Sequence, residues 1–182
     1  MLNYKVYLEI IKEAGEAVLA LENKRDLHVE DKGGNDPLTE ADLKANSILE
    51  KLQKEIKGSI FFSEEVKEDP NRLNADYVWI IDPIDGTREY VEKIPQYAVS
   101  VALIHLGKNI FSAVFNPHES LEYQIEGERG SLGNRNLKNI GGMLTSRSEE
   151  KRGLFEKIKP DFNLNAVGSI AYKLSLLAQG RC

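Results

Sequence analysis

The sequence predicts a mixed α/β protein, and three stretches carry that expectation. Near the N-terminus apolar residues recur at helical spacing, from Gln96 to about Ser131 short apolar runs alternate with turn residues, and after Gly141-Gly142 strand-like and helix-like runs alternate. The first pattern buries one helix face, the second builds an antiparallel meander, and the third opens an α/β unit. The division expected is an N-terminal α+β domain over residues 1–140 and the start of a second, incomplete α/β domain over 141–182.

Each element has its own signal. Tyr7, Ile10, Ile11, Ala14, Val18 and Leu21 share one helical face between about Tyr4 and Leu21. A polar, glycine-containing loop (Asp31-Lys32-Gly33-Gly34-Asn35-Asp36) precedes a second helix from Thr39, with Ile48, Leu49, Leu52 and Ile56 on its apolar side. Ser59 to Ser63 reads as a short strand leading into Glu64-Glu65, and Tyr77 to Ile81 as a strand buried on both faces because it is apolar throughout. The meander turns at Gly107-Lys108-Asn109, Asn116-Pro117-His118 and Gly127-Glu128-Arg129-Gly130. Beyond it come a strand (Met143 to Ser146), a helix (about Glu149 to Ile158), a short strand (Asn165 to Val167) and a helix from Ser169 that runs into the end of the chain.

Composition narrows the function classes. A net charge of −5 argues against a binder of nucleic-acid polymers, which neutralises phosphates with surplus Lys and Arg. An acidic protein that handles phosphorylated ligands needs local cations, and metal ions are the usual source. The single cysteine, Cys182, precludes an intrachain disulfide and suits a reducing, cytoplasmic setting. The N-terminal stretch has Glu and Lys scattered through it, unlike a signal peptide or a membrane span.

The sharpest chemistry lies in Asp82-Pro83-Ile84-Asp85-Gly86-Thr87, directly after the strand Trp79-Ile80-Ile81. Two carboxylates three residues apart at the end of a buried strand repel each other and resist desolvation, and a divalent cation with hard oxygen ligands, Mg²⁺ or similar, relieves both problems. Gly86 permits close backbone approach to a ligand, and Thr87 reads as the N-cap of a helix that aims free N–H groups at an anion. The same six residues also fit a plain Pro-x-Asp-Gly turn. Glu64-Glu65, taken alone, fits a solvated surface turn better than a site. Thr39-Glu40-Ala41-Asp42 has capping-box spacing, and Asp42 is placed to face the same metals as well. Ser169, after Gly168, is either an ordinary N-cap or part of a substrate-holding helix N-terminus. No P-loop, zinc cluster, nucleophile elbow or complete EF-hand loop is present, and His28, His105 and His118 have no carboxylate or hydroxyl motif beside them in sequence.

Read in order, Asp36-Pro37-Leu38-Thr39-Glu40-Ala41-Asp42, Ser63-Glu64-Glu65, Trp79 to Thr87 and Gly168-Ser169 resemble the successive signatures of the inositol monophosphatase superfamily. Thr87-Arg88-Glu89-Tyr90 and Thr145-Ser146-Arg147-Ser148, with Lys173 and Gly180, look more like its 3'(2'),5'-bisphosphate nucleotidase branch. The resemblance implies a layered α/β/α/β/α sandwich with the metals at the junction of its two domains. It implies two or three Mg²⁺ ions, replaceable by Mn²⁺, bound by Glu64, Asp82, Asp85 and the Ile84 carbonyl. It also implies that Glu64 and Thr87 position the attacking water with Asp42 as proton partner, that Gly86 and Thr87 N–H groups, beside Asp85, hold the phosphate, and that Ser169 lies near the rest of the substrate. The activity implied is lithium-sensitive hydrolysis of a small phosphorylated metabolite, 3'-phosphoadenosine 5'-phosphate or an inositol phosphate, with no membrane partner and a possible homodimer.

One family motif, a Trp-Asp pair opening a late helix, has no counterpart before Cys182, and Trp79 is the only tryptophan. On that reading the chain is a fragment or a truncated member, with a catalytically impaired metal- or phosphate-binding module as the alternative to an active enzyme.

Overall fold

A computed structural model describes residues 2–22, 29–31, 37–67, 69–119, 121–126, 129–132 and 140–182. The expected loop from Lys32 to Asp36, His28 and the Gly127-Glu128 turn lie outside the described residues.

Helix α1 (Tyr4–Glu22) buries Tyr7, Ile10, Ile11, Ala14 and Val18, the face its spacing marks out. Strand β1 (Val29–Asp31) pairs antiparallel with β2 (Pro37–Thr39), which feeds α2 (Glu40–Leu49). The expected capping box forms: the Thr39 hydroxyl accepts from the Ala41 and Asp42 amides, and the Asp42 carboxylate accepts from the Thr39 amide. The single long helix expected to reach Ile56 is interrupted at Glu50 and resumes as α3 (Lys51–Glu55). Glu50 keeps helical dihedrals (φ −56°, ψ −20°), so Leu52 and Ile56 still reach the core.

The main sheet has six strands in the order β3 (Ile60–Ser63), β4 (Tyr77–Asp85), β5 (Ala98–His105), β6 (Lys108–Asn116), β7 (Leu121–Glu126) and β8 (Arg129–Leu132). β3 runs parallel to β4, and the other pairs are antiparallel, so the meander read from Gln96 onward is present. Helices α1 and α2 cover one face, where Tyr7 meets Trp79 and Phe111 edge to face at 5.0 and 5.6 Å between ring centres. Gly15 sits in this interface because a Cβ there would lie 2.5 Å from the Phe115 ring. Gly15→Ala, a change that in an exposed helix gains about 1 kcal/mol, is therefore expected to destabilise the protein by roughly 1–3 kcal/mol through overpacking. Thermal melts check the sign.

On the opposite face lie a parallel pair formed by β9 (Met143–Ser146) and β10 (Leu164–Val167), α5 (Arg147–Lys151), and α6 (Ile170–Ala178), while α4 (Thr87–Val91) follows β4 and sends Tyr90 into the helix-covered core, where its hydroxyl donates to the Val18 carbonyl. Val167, Tyr172 and Leu176 pack against Ala98, which seats α6 and β10 on the main sheet. Ile170, Leu174 and Leu177 occupy the exposed side of α6. Three expectations need correction. The helix expected from Glu149 to Ile158 is only the five-residue α5, because Gly153 takes a left-handed conformation (φ 76°) and Leu154 has no core to enter. The last helix does not run into the chain end: Gly180 (φ 66°) closes it, with the Gly180 and Arg181 amides bonded to the carbonyls of Leu177 and Leu176. Arg181 then pairs with Glu119 at 2.9 Å. The third correction concerns β4. It is not buried on both faces, since Ile80 is 43% exposed, and it continues past Ile81 to Asp85.

Candidate active site

That continuation carries the site. Along a regular strand, residues 82 and 85 would point to opposite faces. Asp82 pairs with Ser100 and Asp85 with Ala98, so Pro83 and Ile84 together oppose the single Val99. This bulge shifts the alternation by one. Ile84 joins Trp79 and Ile81 in the helix-covered core, and Asp85 returns to the side of Asp82. Proline suits a bulge, where its missing N–H breaks no ladder bond.

Asp82 is half-buried, and its Oδ1 is buried with no hydrogen-bond partner. Burial, then the charges of Glu64, Asp85 and Asp42, push its carboxyl up to about 8. Asp42 is fully buried at the start of α2, where Oδ2 accepts from the Thr39 hydroxyl at 2.6 Å and Oδ1 from the Thr87 hydroxyl at 3.4 Å. The capping role and a place beside Thr87 thus coexist in Asp42. The Thr87 hydroxyl also donates to the Ile84 carbonyl at 2.9 Å.

Gly86, not Thr87, caps α4, with φ 97° that a side chain resists. A Cβ on Gly86 would meet the Ser169 Cβ at 3.1 Å and the Gln96 carbonyl at 3.2 Å. Ser169 itself holds a strained backbone, φ 54° and ψ 120°. Its hydroxyl accepts from the Tyr172 amide at 2.9 Å and donates to Asp85 Oδ2 at 2.6 Å, and that same oxygen accepts from the Ala171 amide at 2.6 Å. Asp85 therefore caps α6 as well as facing Asp82. Glu64 is exposed at the rim. Glu64, Asp82, Ile84, Asp85, Gly86, Thr87 and Ser169 border one cavity of about 310 Å³, which Arg88, Ser146, Ser148 and Lys173 also line.

Among the described residues no three Asp, Glu, His or Cys side chains converge as a ready-made metal cage. The donor chemistry nonetheless suits a hard divalent cation. Asp82 Oδ1 lacks any partner, and the carboxylates that raise its pKa are the groups a cation would draw together. Among the groups not marked by sequence pattern are Gln96, whose side chain reaches Gly168, and His118, whose Nε2 lies 3.1 Å from both Glu22 Oε1 and the Tyr97 hydroxyl. These contacts span 21 to 96 residues of sequence, so no local motif announces them.

The same architecture occurs in solved structures. The chain superposes on the extragenic suppressor protein suhB from Bartonella henselae with a TM-score of 0.82 at 24% identity, over 98% of this chain and 75% of that one. For CysQ from Bacteroides thetaiotaomicron, a bacterial member of the inositol monophosphatase family, the values are 0.71 and 23%, over 96% and 75%. The chain belongs to the inositol monophosphatase family, whose pattern matches residues 3–182. It is 32% identical over 117 residues to the inositol-1-monophosphatase of Rhizobium meliloti, covering 64% of this chain and 44% of that protein. It is 27% identical over 188 residues to the 3'(2'),5'-bisphosphate nucleotidase CysQ of Shigella flexneri, covering 95% and 75%. The histidinol-phosphatase of Chlorobaculum parvum is 33% identical over 128 residues, covering 70% and 49%. The chain thus spans between 44% and 75% of the length of these relatives. Among the described residues no helix is long and apolar enough to cross a membrane.

Proposed function

We propose that this chain carries the hydrolytic site of a Mg²⁺-dependent phosphomonoesterase acting on a small phosphorylated metabolite. The observation that carries the reading is the bulge at Pro83-Ile84, which puts Asp82 and Asp85 on one face and leaves Oδ1 of Asp82 buried without a hydrogen-bond partner. Glu64, Asp82, Asp85 and the Ile84 carbonyl are the groups that would hold the ions, two or three in number, with Mn²⁺ able to replace Mg²⁺. Such ions, when bound, supply positive charge for the phosphate and lower the pKa of a water. The chain's own groups do the rest. Thr87, fixed by Ile84 and Asp42, orients that water, and as the water is activated its proton would pass to the Thr87 hydroxyl oxygen while the Thr87 proton passes to Asp42. Gly86 and Thr87 offer backbone N–H groups to the phosphate, and Ser169 lies against the remainder of the substrate. No covalent intermediate is needed, in keeping with a sequence that carries no nucleophile-elbow motif.

The finer reading is a 3'(2'),5'-bisphosphate nucleotide as substrate. A cavity lined by Asp82, Asp85 and Glu64 and also by Arg88 and Lys173 suits a ligand with two phosphates, one held through the metals and one by the cationic side chains. The similarity to CysQ over 95% of this chain supports the same choice. Phosphate release from 3'-phosphoadenosine 5'-phosphate and from inositol 1-phosphate, assayed side by side, tests it. Release is expected to require Mg²⁺, to be inhibited by Li⁺, and to show the higher kcat/KM for the nucleotide. Undiminished turnover in excess EDTA refutes the metal dependence, and the reverse substrate order assigns an inositol phosphate.

A further inference from the structure

Arg147 lies in the first turn of α5, at the mouth of the cavity, where an arginine invites assignment to the substrate anion. Part of its guanidinium is already committed to the protein. One terminal nitrogen donates to both the Gln96 side-chain carbonyl and the Ala166 backbone carbonyl, the latter at 3.1 Å. Its Nε, buried without a hydrogen bond, lies 3.5 Å from Glu89 Oε1, and the two side chains are only 24% and 12% exposed. Gln96 accepts a second bond, from the Gly168 amide at 3.1 Å. The Glu89 carboxyl group in turn covers Gly168 so closely that a Cβ there would fall 2.1 Å from its Cδ. Four residues from four segments thus close a loop around the junction between β10 and α6. The two stretches resembling the nucleotidase branch, residues 87–90 and 145–148, meet in one ion pair, Glu89 with Arg147.

We propose that Arg147 is a positioning residue: it neutralises Glu89 and, through Gln96, straps the Gly168-Ser169 junction to the Gly86–Glu89 turn, without binding the substrate anion itself. Two physical arguments support this. One terminal nitrogen spends both of its N–H groups on protein carbonyls and Nε faces Glu89, so the paired, bidentate face that arginine offers an anion is already turned to the protein and only the other terminal nitrogen remains. Glu89 borders the cavity, so once stripped of Arg147 its half-buried carboxylate would repel any phosphorylated ligand entering. Arg147 thereby sets both the width of the cavity, by fixing Ser169 against Asp85, and its charge.

Two readouts test the assignment. In metal-free protein, Arg147→Met is expected to speed hydrogen exchange at the Gly168 and Ala171 amides by about tenfold or more, with α1 unaffected. In calorimetric titration with inorganic phosphate in Mg²⁺, the same variant is expected to bind about tenfold more weakly. Adding Glu89→Gln to it should restore affinity to within about threefold of wild type while exchange stays fast. Wild-type exchange at both amides overturns the strap. A double variant as weak as the single one shows that Arg147 holds the anion, which overturns the assignment. Gln96→Leu removes the shared acceptor without changing charge and is expected to give the same exchange pattern even where Arg147→Met fails to fold; unchanged exchange in Gln96→Leu also overturns the strap. The affinity arm rests on the phosphatase reading and the exchange arm does not. A wild-type protein that binds no phosphate refutes that reading alone, and exchange then decides the strap.

Discussion

Asp82→Asn is expected to stabilise the metal-free protein and, at the same time, to lower Mg²⁺-supported phosphate release by roughly a thousandfold, equivalent to about 4 kcal/mol of transition-state stabilisation. The two effects have one cause. Asp82 is held among Glu64, Asp85 and Asp42, and its folded-state pKa of about 8 stands far above the ordinary 3.8. Below about pH 4 the carboxyl is protonated in both folded and unfolded chains and contributes nothing to the pH dependence. As pH rises from there to about 8, the unfolded chain releases the proton while the folded one retains it, so stability without metal falls. Above about 8 both states are ionised and the full penalty is present. Asparagine has no proton to release, so its melting temperature in EDTA should vary less across pH 5–8 and exceed that of wild type at the upper end. Excess Mg²⁺ should reverse the ranking, because a cation favours the ionised cluster that only the wild type has intact. Calorimetric melts at several pH values, with EDTA and with Mg²⁺, measure all of this. A variant with the wild-type slope in EDTA would show that Asp82 is not the strained carboxyl.

The second large effect is expected for Gly86→Ala. Alanine at φ 97° carries backbone strain, and the added Cβ would press on Ser169, the Gln96 carbonyl and the Tyr97 Cβ at 3.1, 3.2 and 3.3 Å. Ser169 cannot retreat freely, since its hydroxyl is tied to Asp85 and its own backbone is already strained. Destabilisation of about 2–3 kcal/mol and at least a hundredfold loss of phosphate release should follow together. Gly58→Ala supplies the control: its φ is 82° but nothing lies within 4 Å of a Cβ there. It should lose only the backbone part, roughly 1 kcal/mol, with activity unchanged. If Gly86→Ala behaves like Gly58→Ala, the packing of the turn against α6 is looser than its distances imply.

Much of this arrangement was legible in the residue order, because short-range rules govern it. The spacing of Thr39 and Asp42 gave the capping box, and the glycine-serine pair at 168–169 gave the start of α6. Pairing between segments was harder to read. Pro83 looks like the end of a strand, so β4 was expected to stop at Ile81, yet antiparallel pairing with β5 carries it on to Asp85. Apolar Ile80 suggested two buried faces, although only the helix-covered one is deeply buried at this position. A repulsive carboxylate cluster could be inferred around residues 82–85, but not that Ser169 and Ala171 would engage Asp85 and leave Asp82 Oδ1 as the atom without a partner. The strap through Gln96, Glu89 and Arg147 joins side chains 51 or more residues apart to the last of them, beyond the reach of any local pattern.

The bulge at Pro83-Ile84 also makes this short segment far less tolerant of changes in length than of changes in identity. Exchanging Ile84 for another branched aliphatic residue leaves the count of residues opposite Val99 untouched, and with it the direction of everything that follows. Removing either residue restores regular alternation, turns the Asp85 side chain toward the helix layer, and drags Gly86 and Thr87 out of step with Asp42 and Ser169. One codon lost there does what no single substitution can: it rewrites which side of the sheet the next residues inhabit. The exposed Leu106-Gly107 hairpin tip, which no later side chain depends on for its facing, is the kind of place where a change in length is absorbed instead.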